Sequence, residues 1–465
     1  MTEKVSGADS EPDAAHDDPP RLLWPNLGAE EGGDEAAVAQ HVSARQAAKL
    51  WALLFARQDE ICWPNIHKKS ADGIPREPIP SVETRRQRCE SLWPLHLGNP
   101  PDAAAFAWLA EGGVHAWLKT EMAEAKAKHL SGQALLGPGS ACVRSLGDKG
   151  NTAKLSDELG LTPRTLAPLI QVLSPEDCLE PDQVIARLSA DVEAWPAWTG
   201  GRFTLKPRWG TSGRGRVAGV GSLETRAIRG ALPRLAERGG ALLEPWCARE
   251  SDLSVSVHIP APEAEEKLPT LLGSLSMLTS ASGLYRGHCG ELDHRGRVFS
   301  GHREDETLRG DAAILAGRAQ QTGFFGPCGI DAFTYREDDR TRLRSIVEFN
   351  PRMTMGIVTI GLIRRALPLA RQKLDLSPGD RRAFLMTTFD EADEASRDAI
   401  VTLREGLGEN TLILDLRAPS DSSLAASQDG LAHDGAPATE GLRPLLFFAP
   451  DLESLRGAYQ EAIGC

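Results

Sequence analysis

The sequence predicts an α/β protein built from several α+β subdomains. Two observations support this fold class. Short apolar runs typical of strands alternate along the chain with segments whose apolar residues recur at helical spacing. With 465 residues and a mass of 50.1 kDa, the chain is too long for one ordinary core, so roughly two to four subdomains are expected.

Apolar periodicity divides the chain into predicted elements. Helices are expected over residues 36–58, 102–130, 147–159, 181–188, 306–322, 361–374 and 452–462. Strands are expected over residues 21–26, 203–207, 242–244, 253–259, 412–416 and 445–448. Residues 1–20, which are acidic and poor in apolar side chains, are expected to form a disordered leader, and residues 420–441, rich in Ser, Ala, Gly and Asp, a mobile loop.

Composition excludes several classes of protein. Charged residues make up 25% and hydrophobic residues 41% of the chain, as in an ordinary globular protein. A formal net charge of -13 argues against a general nucleic-acid binder, which needs a basic surface. No apolar run has the length of a membrane span, so a membrane is not an expected partner. The eight cysteines are dispersed without a Cys-x-x-Cys pair, which favours reduced thiols in the cytoplasm.

The most informative segment is the predicted strand end at residues 346–352. Glu348 and Asn350 are two residues apart, so in a strand their oxygens point to the same face. Arg352 follows as a fixed cation, and Asp331 offers a third oxygen ligand after another apolar run. Hard oxygen ligands beside an arginine suit magnesium bound to a polyphosphate. The alternative is two strand ends whose polar side chains are simply solvated.

Two lysines are candidates for phosphate binding. Lys206 ends an apolar strand and precedes a glycine-rich loop containing Thr211, Ser212 and Gly213, whose backbone N–H groups can approach an anion closely. Lys149 lies in a Gly-Asp-Lys-Gly segment. The loop has neither Walker spacing nor the dinucleotide fingerprint. The alternatives are a basic β-hairpin with a flexible tip and a solvated surface lysine.

A connector between two predicted strands is a candidate for nucleobase binding. It comprises Glu244, Pro245, Trp246 and Cys247. Its backbone could bind an adenine edge while Glu244 accepts a hydrogen bond from the adenine amino group. Asp252, which enters the next strand, could accept hydrogen bonds from ribose hydroxyls. The alternative is an ordinary exposed connector.

In their order along the chain, these motifs resemble the ATP-grasp superfamily. The matching segments are Gly147-Asp148-Lys149, Leu205-Lys206 with its glycine-rich loop, Leu243-Glu244 with Asp252-Leu253-Ser254-Val255, Gly329-Ile330-Asp331 and Glu348-Phe349-Asn350-Pro351-Arg352. The resemblance covers about residues 140–372, and the order and spacing of the motifs support it more than any single motif. It implies a pre-ATP-grasp α/β domain over residues 21–140, an ATP-grasp domain over residues 141–375 and a small C-terminal α/β extension over residues 376–465.

The resemblance also implies ATP and Mg²⁺ as cofactors and assigns roles to the candidate residues. Both lysines would hold ATP phosphates under the glycine-rich loop, and the connector would bind adenine. The oxygen ligands Asp331, Glu348 and Asn350 would hold one or two magnesium ions. Arg352 would stabilise a substrate carboxylate or its acylphosphate. The family usually has a bulky aliphatic residue where this chain has Cys247, which leaves the register of the connector open by one residue.

Acceptor contacts in this family lie between the nucleotide-binding segments, where this chain has Arg286 and His288. Arg286 could pair with a substrate carboxylate, and His288 could assist amine deprotonation near neutral pH. The alternatives are a surface arginine and a hydrogen-bonded core histidine.

The predicted function is an ATP- and magnesium-dependent carboxylate–amine ligase. It would form an amide bond through an acylphosphate and release ADP and phosphate. The alternatives are a phosphotransferase on the same fold and a nucleotide-binding protein without turnover. Small-molecule carboxylates and amines, with amino acids or a peptide among them, are the expected partners, and a homodimer is one open oligomeric state.

Overall fold

A computed structural model describes residues 20–27, 29, 41–63, 85–94, 97, 104–111, 113–131, 135–210, 215–280, 283–417 and 441–464. The predicted leader and the predicted mobile loop therefore lie almost entirely outside the described residues. The same holds for Thr211, Ser212 and Gly213 of the glycine-rich loop.

The described strands are β1 (Leu22–Trp24), β2 (Glu60–Trp63), β3 (Arg85–Arg88), β4 (Val114–Ala116), β5 (Gln171–Leu173), β6 (Arg202–Pro207), β7 (Val217–Val220), β8 (Ala241–Pro245), β9 (Ala248–Ile259), β10 (Thr270–Thr279), β11 (Tyr285–Asp293), β12 (Val298–Phe299), β13 (Gly326–Glu337), β14 (Arg340–Asn350), β15 (Arg381–Asp390), β16 (Leu412–Asp415) and β17 (Leu442–Ala449). The described α-helices are α1 (Val42–Ala52), α2 (Glu121–Ser131), α3 (Ser140–Gly147), α4 (Lys149–Glu158), α5 (Pro175–Leu179), α6 (Pro181–Glu193), α7 (Arg226–Glu237), α8 (Asp305–Gln321), α9 (Met355–Leu374), α10 (Glu394–Leu407) and α11 (Leu452–Ala462).

The strands form three sheets, and the predicted mixed α/β class is confirmed. The N-terminal sheet has the order β3-β2-β1-β4, with β1 parallel to both of its neighbours. The small sheet is antiparallel and has the order β5-β8-β6-β7. The large sheet has nine strands in the order β14-β13-β9-β10-β12-β11-β15-β17-β16.

The C-terminal segment is continuous with the large sheet. Strand β15 pairs antiparallel with β11, where Gly287 faces Thr387, and β17 and β16 extend the sheet beyond β15. The boundary expected at residue 375 therefore does not separate two sheets. Within the described residues, no helix combines the length and the apolar character needed to cross a membrane.

The helix expected over residues 102–130 is wrong as a single element. The chain instead forms a 3-10 helix at Ala104–Ala110, strand β4 and then α2. The apolar residues Trp117 and Leu118, which suggested helical periodicity, are buried just after β4. Burial against the core, rather than one face of a helix, accounts for their apolar character.

Each layer has its own apolar contacts. The small sheet packs Phe203, Leu205 and Leu243 against helices α6 and α7. The largest cluster joins Trp51 of α1, and Leu54 just after that helix, to α9 and one face of the large sheet. These contacts hold the N-terminal region against the large sheet.

The start of β8 depends on a glycine. Gly240 has a φ of 98°, in the left-handed region that favours glycine, and a Cβ atom there would collide with the carbonyl oxygen of Leu173. Gly240 lies immediately before β8, which carries Glu244, so its conformation sets the path of a strand that reaches the candidate site.

We predict that Gly240→Ala lowers the free energy of unfolding by about 2 kcal/mol or more, because it adds left-handed strain and a backbone clash. The matched control is Gly230→Ala, in the exposed interior of α7, where a Cβ atom meets nothing within 4 Å. That variant should be more stable than wild type by roughly 0.5–1 kcal/mol. Urea unfolding of both variants measures the difference, and equal stabilities would contradict the assigned backbone role.

Candidate active site

Four predicted residues meet at the end of the β13–β14 pair. Asp331 lies directly opposite Glu348 in the antiparallel register, so their side chains share one face. The Nδ2 atom of Asn350 donates to Asp331 Oδ2 at 3.1 Å, and Arg352 Nη2 donates to Asn350 Oδ1 at 3.2 Å. We call Asp331, Glu348, Asn350 and Arg352 the acidic corner.

The two carboxyl groups of the acidic corner repel each other. Burial raises the pKa of Asp331 to about 7, the Glu348 carboxylate raises it as well, and the Asn350 hydrogen bond opposes them. This carboxyl pair is unfavourable without a counter-ion, and an amide oxygen lies beside it. Such oxygen atoms are the ligands that a hard divalent cation prefers. Among the described residues, no group of three or more His, Cys, Asp or Glu is placed to hold a metal, so a third protein ligand would be Asn350.

Lys149 reaches the acidic corner from the N-terminus of α4. The Asp148 carboxylate caps this helix by accepting from two N–H groups of its first turn. The Lys149 side chain is buried, its Nζ donates to the Gly210 carbonyl, and the same atom lies 3.7 Å from Glu348 Oε2. The structure thus joins the predicted phosphate lysine, the start of the glycine-rich loop and the acidic corner.

Arg208 fixes α4 to the end of β6. Its guanidinium pairs with Asp148 at 2.8 Å, and its carbonyl oxygen accepts from the Lys149 N–H at 2.9 Å. The sequence did not predict the contact between Arg208 and Asp148, because nothing local indicates a partner 60 residues earlier.

The second predicted lysine is part of a buried ion cluster. Lys206 Nζ lies 2.5 Å from Glu244 Oε1, and Arg344 Nη1 lies 2.7 Å from Glu244 Oε2. Glu244 is only 1% exposed and Arg344 only 2%. We call Lys206, Glu244 and Arg344 the ion triad. It connects β6 and β8 of the small sheet to β14 of the large sheet.

Glu244 remains ionised within the ion triad. Burial raises the pKa of its carboxyl, but Arg344 and Lys206 more than offset this effect, and the pKa lies well below its usual value. Burial lowers the pKa of Lys206, while Glu244 and Glu348 oppose that change. Glu244 was predicted to accept from adenine. Both of its oxygens are instead engaged by cations in this structure, so its role toward a nucleotide stays a prediction.

The connector departs from its expected hydrogen bonding. Pro245 has no N–H, and the Trp246 N–H donates to the Arg202 carbonyl at 2.8 Å. This leaves the Cys247 N–H as the connector donor that could bind an adenine edge. The Cys247 thiol is buried, and burial raises its pKa to about 11, so it stays protonated.

Asp252 has two partners in the structure. Its carboxylate accepts from Arg249 Nη1 at 2.8 Å and from the Thr279 hydroxyl at 2.7 Å. The Arg249 guanidinium lies between the rings of Trp246 and Phe333, at 5.0 and 4.2 Å from their centroids. The sequence placed Asp252 near a ribose, and that role remains a prediction.

The two residues expected at the acceptor end have different environments. Arg286 is exposed at the start of β11. His288 is only 2% exposed, and its Nδ1 lies 2.9 Å from the Tyr285 hydroxyl and 3.2 Å from Thr359 Oγ1. Burial lowers the pKa of His288 to about 3. The expectation that His288 titrates near neutral pH is therefore wrong, because desolvation disfavours its charged form.

The acidic corner faces a narrow cleft. Its polar wall includes Lys149, Glu348 and Arg352. Trp209 and Leu118 contribute apolar surface, and Leu118 belongs to the N-terminal region. The cleft is therefore lined by the N-terminal region, the segment that follows β6 and the end of β14, and it places two cations, a carboxylate and an apolar wall within one space.

No family model and no curated protein matches this sequence. The structure resembles the carboxyaminoimidazole ribonucleotide synthase of Aspergillus clavatus complexed with ATP, at 17% identity and a TM-score of 0.44, over 79% of this chain and 86% of that one. It also resembles the biotin carboxylase domain of Hydrogenobacter thermophilus 2-oxoglutarate carboxylase with MgADP and bicarbonate, at 13% identity and a TM-score of 0.45, over 74% of this chain and 70% of that one. A third resemblance is to Rhizobium etli pyruvate carboxylase, at 14% identity and a TM-score of 0.48, over 95% of this chain and 37% of that one.

These enzymes belong to the ATP-grasp superfamily. At identities of 13 to 17% and TM-scores of 0.44 to 0.48, the likeness transfers no residue role, substrate or activity to this chain. Its chemistry has to follow from the side chains that the cleft brings together.

We predict that His288 makes the protein sensitive to acid. Its pKa is 6.5 when unperturbed and about 3 in the folded state, so only the unfolded state binds this proton between those values. Stability is therefore complete above pH 6.5 and is lost as the pH falls toward 3. Between pH 7 and pH 5 this histidine should lower the free energy of unfolding of the wild-type protein by about 2 kcal/mol. His288→Gln does not titrate, so its free energy of unfolding should fall by about 2 kcal/mol less over the same range. Urea unfolding at both pH values measures this, and an unchanged loss would contradict it.

Proposed function

We propose that this protein is an ATP- and magnesium-dependent ligase of the ATP-grasp type that joins a carboxylate to an amine. One observation carries the proposal. Lys149, Glu348, Asn350 and Arg352 line a single cleft, and Asp331 lies opposite Glu348 and accepts from the Asn350 amide. That set provides metal ligands, a phosphate partner and a carboxylate partner within one space.

In this proposal the nucleotide lies between the small and large sheets. Lys149 and Lys206 hold its phosphates, and residues 211–213 follow Gly210, the carbonyl partner of Lys149. The Cys247 N–H meets the adenine edge, and Asp252 accepts from the ribose. Because the base would contact only the backbone, the side chains of the connector can pack elsewhere. The centroid of the Trp246 ring lies 4.3 Å from the Arg216 guanidinium and 5.0 Å from the Arg249 guanidinium.

The chemistry proceeds by two displacements. A carboxylate oxygen of the first substrate attacks the γ-phosphorus of ATP, the bond to the β–γ bridging oxygen breaks, and ADP leaves. The amine nitrogen then attacks the carbonyl carbon of the acylphosphate, the C–O bond to phosphate breaks, and the amine loses a proton. A bound Mg²⁺ supplies charge neutralisation at the phosphates. Arg352 orients the carboxylate, and Lys149 neutralises the charge that develops during phosphoryl transfer.

Of the two residues expected at the acceptor end, one changes its role in this scheme and the other keeps it. His288 is neutral and buried, so the amine loses its proton to another acceptor. Arg286 is exposed at the mouth of the β10–β11 hairpin, and we assign it to the second substrate as a carboxylate partner. We place the reaction in the cytoplasm, since the seven described cysteines are free thiols.

The reaction is tested by product analysis. The protein is incubated with ATP, Mg²⁺ and pools of small carboxylates and amines, including amino acids. ADP and phosphate should accumulate only when both acceptors are present. Release of AMP and pyrophosphate would contradict the acylphosphate route, and a stable phosphorylated product would favour a phosphotransferase. Absence of nucleotide binding would contradict the whole proposal.

We predict that Glu348→Gln lowers kcat by at least about a hundredfold, because it removes a charge from the metal ligands and an ion-pair partner of Lys149. The matched control is Glu409→Gln, in the exposed loop before β16, which should keep wild-type activity. Steady-state ADP release measures both, and circular dichroism checks that each variant is folded. Equal activity in the two variants would contradict the assignment of Glu348 as a metal ligand.

We predict that Arg352→Lys raises the KM for the carboxylate by about tenfold and leaves the KM for ATP nearly unchanged. A lysine keeps the charge but loses the planar, bidentate hydrogen bonding that arginine makes with a carboxylate. Arg340→Lys, at the exposed start of β14, is the control and should change neither constant. A rise in the KM for ATP instead would place Arg352 on the nucleotide.

A further inference from the structure

The ion triad holds two cations around one carboxylate. Glu244 contacts Lys206 through Oε1 at 2.5 Å and Arg344 through Oε2 at 2.7 Å. The cluster therefore carries one more positive charge than it needs for neutrality. One cation would be enough to neutralise Glu244 if the cluster only stabilised the fold. A buried ion pair often adds little net stability, because removing the charges from water costs free energy.

Lys206 cannot serve the phosphate and Glu244 equally well. Its Nζ lies 2.5 Å from one Glu244 oxygen, its side chain is only 9% exposed, and it is not among the described residues that line the cleft. To contact a nucleotide phosphate in the cleft, the ammonium group has to move toward the cleft and away from Glu244. A carboxylate that is 1% exposed and has lost its counter-ion is strongly unfavourable, so the movement needs a second cation that stays behind.

Arg344 has the properties of that second cation. It comes from β14 of the large sheet, so its position is independent of β6, and arginine stays protonated at any physiological pH. Its guanidinium lies 5.7 Å from the centroid of the Phe333 ring, which fixes the side chain under the site. Its Nε has no hydrogen-bond partner within the described structure, a cost that a purely structural residue would not be expected to carry.

We propose that Arg344 is a positioning residue that keeps Glu244 neutralised, so that the Lys206 ammonium can transfer from Glu244 to a nucleotide phosphate. This inference rests on the proposed nucleotide site. It explains why the triad spans two sheets: the cation that remains with Glu244 belongs to the large sheet, and the cation that moves belongs to the small sheet. No bond is made or broken in the step, and the charge of the triad is unchanged.

The test compares MgADP with adenosine, which lacks phosphates. In Arg344→Met, Lys206 is the remaining counter-ion of Glu244, so MgADP should bind about tenfold or more weakly while adenosine stays within about twofold of wild type. Arg342→Met is the matched control, because Arg342 lies two residues earlier in β14 with an exposed side chain paired to Glu337. It should bind both ligands like wild type. Isothermal titration calorimetry on the full chain gives the dissociation constants.

Two further variants separate positioning from folding. Arg344→Lys keeps a charge at this place and should restore MgADP affinity to within about threefold of wild type. Arg344→Met combined with Glu244→Gln removes the carboxylate that retains Lys206, so it should bind MgADP more tightly than Arg344→Met alone. If Arg344→Met does not fold, Arg344→Gln carries the same expectations.

The inference is overturned if MgADP and adenosine weaken together in Arg344→Met, or if the double variant binds MgADP no better than the single one. Unchanged MgADP affinity in Arg344→Met would overturn it as well. Failure of the wild-type protein to bind MgADP is a different result, because it contradicts the proposed function itself.

Discussion

The candidate site depends on the contact between Glu244 and Arg344. This ion pair joins the small sheet to the large sheet across a region from which water is almost excluded. In such surroundings a partner cannot be removed without leaving a buried charge, so the pair fixes the distance between the two sheets. Lys206, the predicted phosphate lysine, belongs to the small sheet, and Glu348 and Asn350 of the acidic corner belong to the large sheet.

Local sequence signals were sufficient for the acidic corner. The two-residue period of a strand placed Glu348 and Asn350 on one face, and the structure has both in β14. Asp331 precedes them in the adjacent strand, and antiparallel pairing through a short turn brings it opposite Glu348. The start of α4 at Lys149 is likewise a local feature, and it lies within two residues of the expected position.

The partners of these residues could not be predicted in the same way. Arg340, Arg342 and Arg344 alternate along β14, a pattern typical of an exposed strand face, yet Arg344 is buried because Glu244 lies opposite it from another sheet. That partner is 100 residues away in sequence. His288 shows the reverse case. Its sequence context suggested a titrating group, but the packing of β11 against α9 buries it against Thr359.

The pairing within the acidic corner indicates how its cations become available. Each cation now contacts a side chain that would be a metal ligand: Lys149 lies beside Glu348, and Arg352 donates to the amide oxygen of Asn350. In the proposed mechanism those oxygens would turn to a divalent cation, and Lys149 could then meet a phosphate and Arg352 a carboxylate. The proposal for the ion triad has the same logic, since Lys206 would leave Glu244 only because Arg344 remains. In both proposals a second positive charge takes over a carboxylate or amide oxygen, and the first would thereby be released to the substrates.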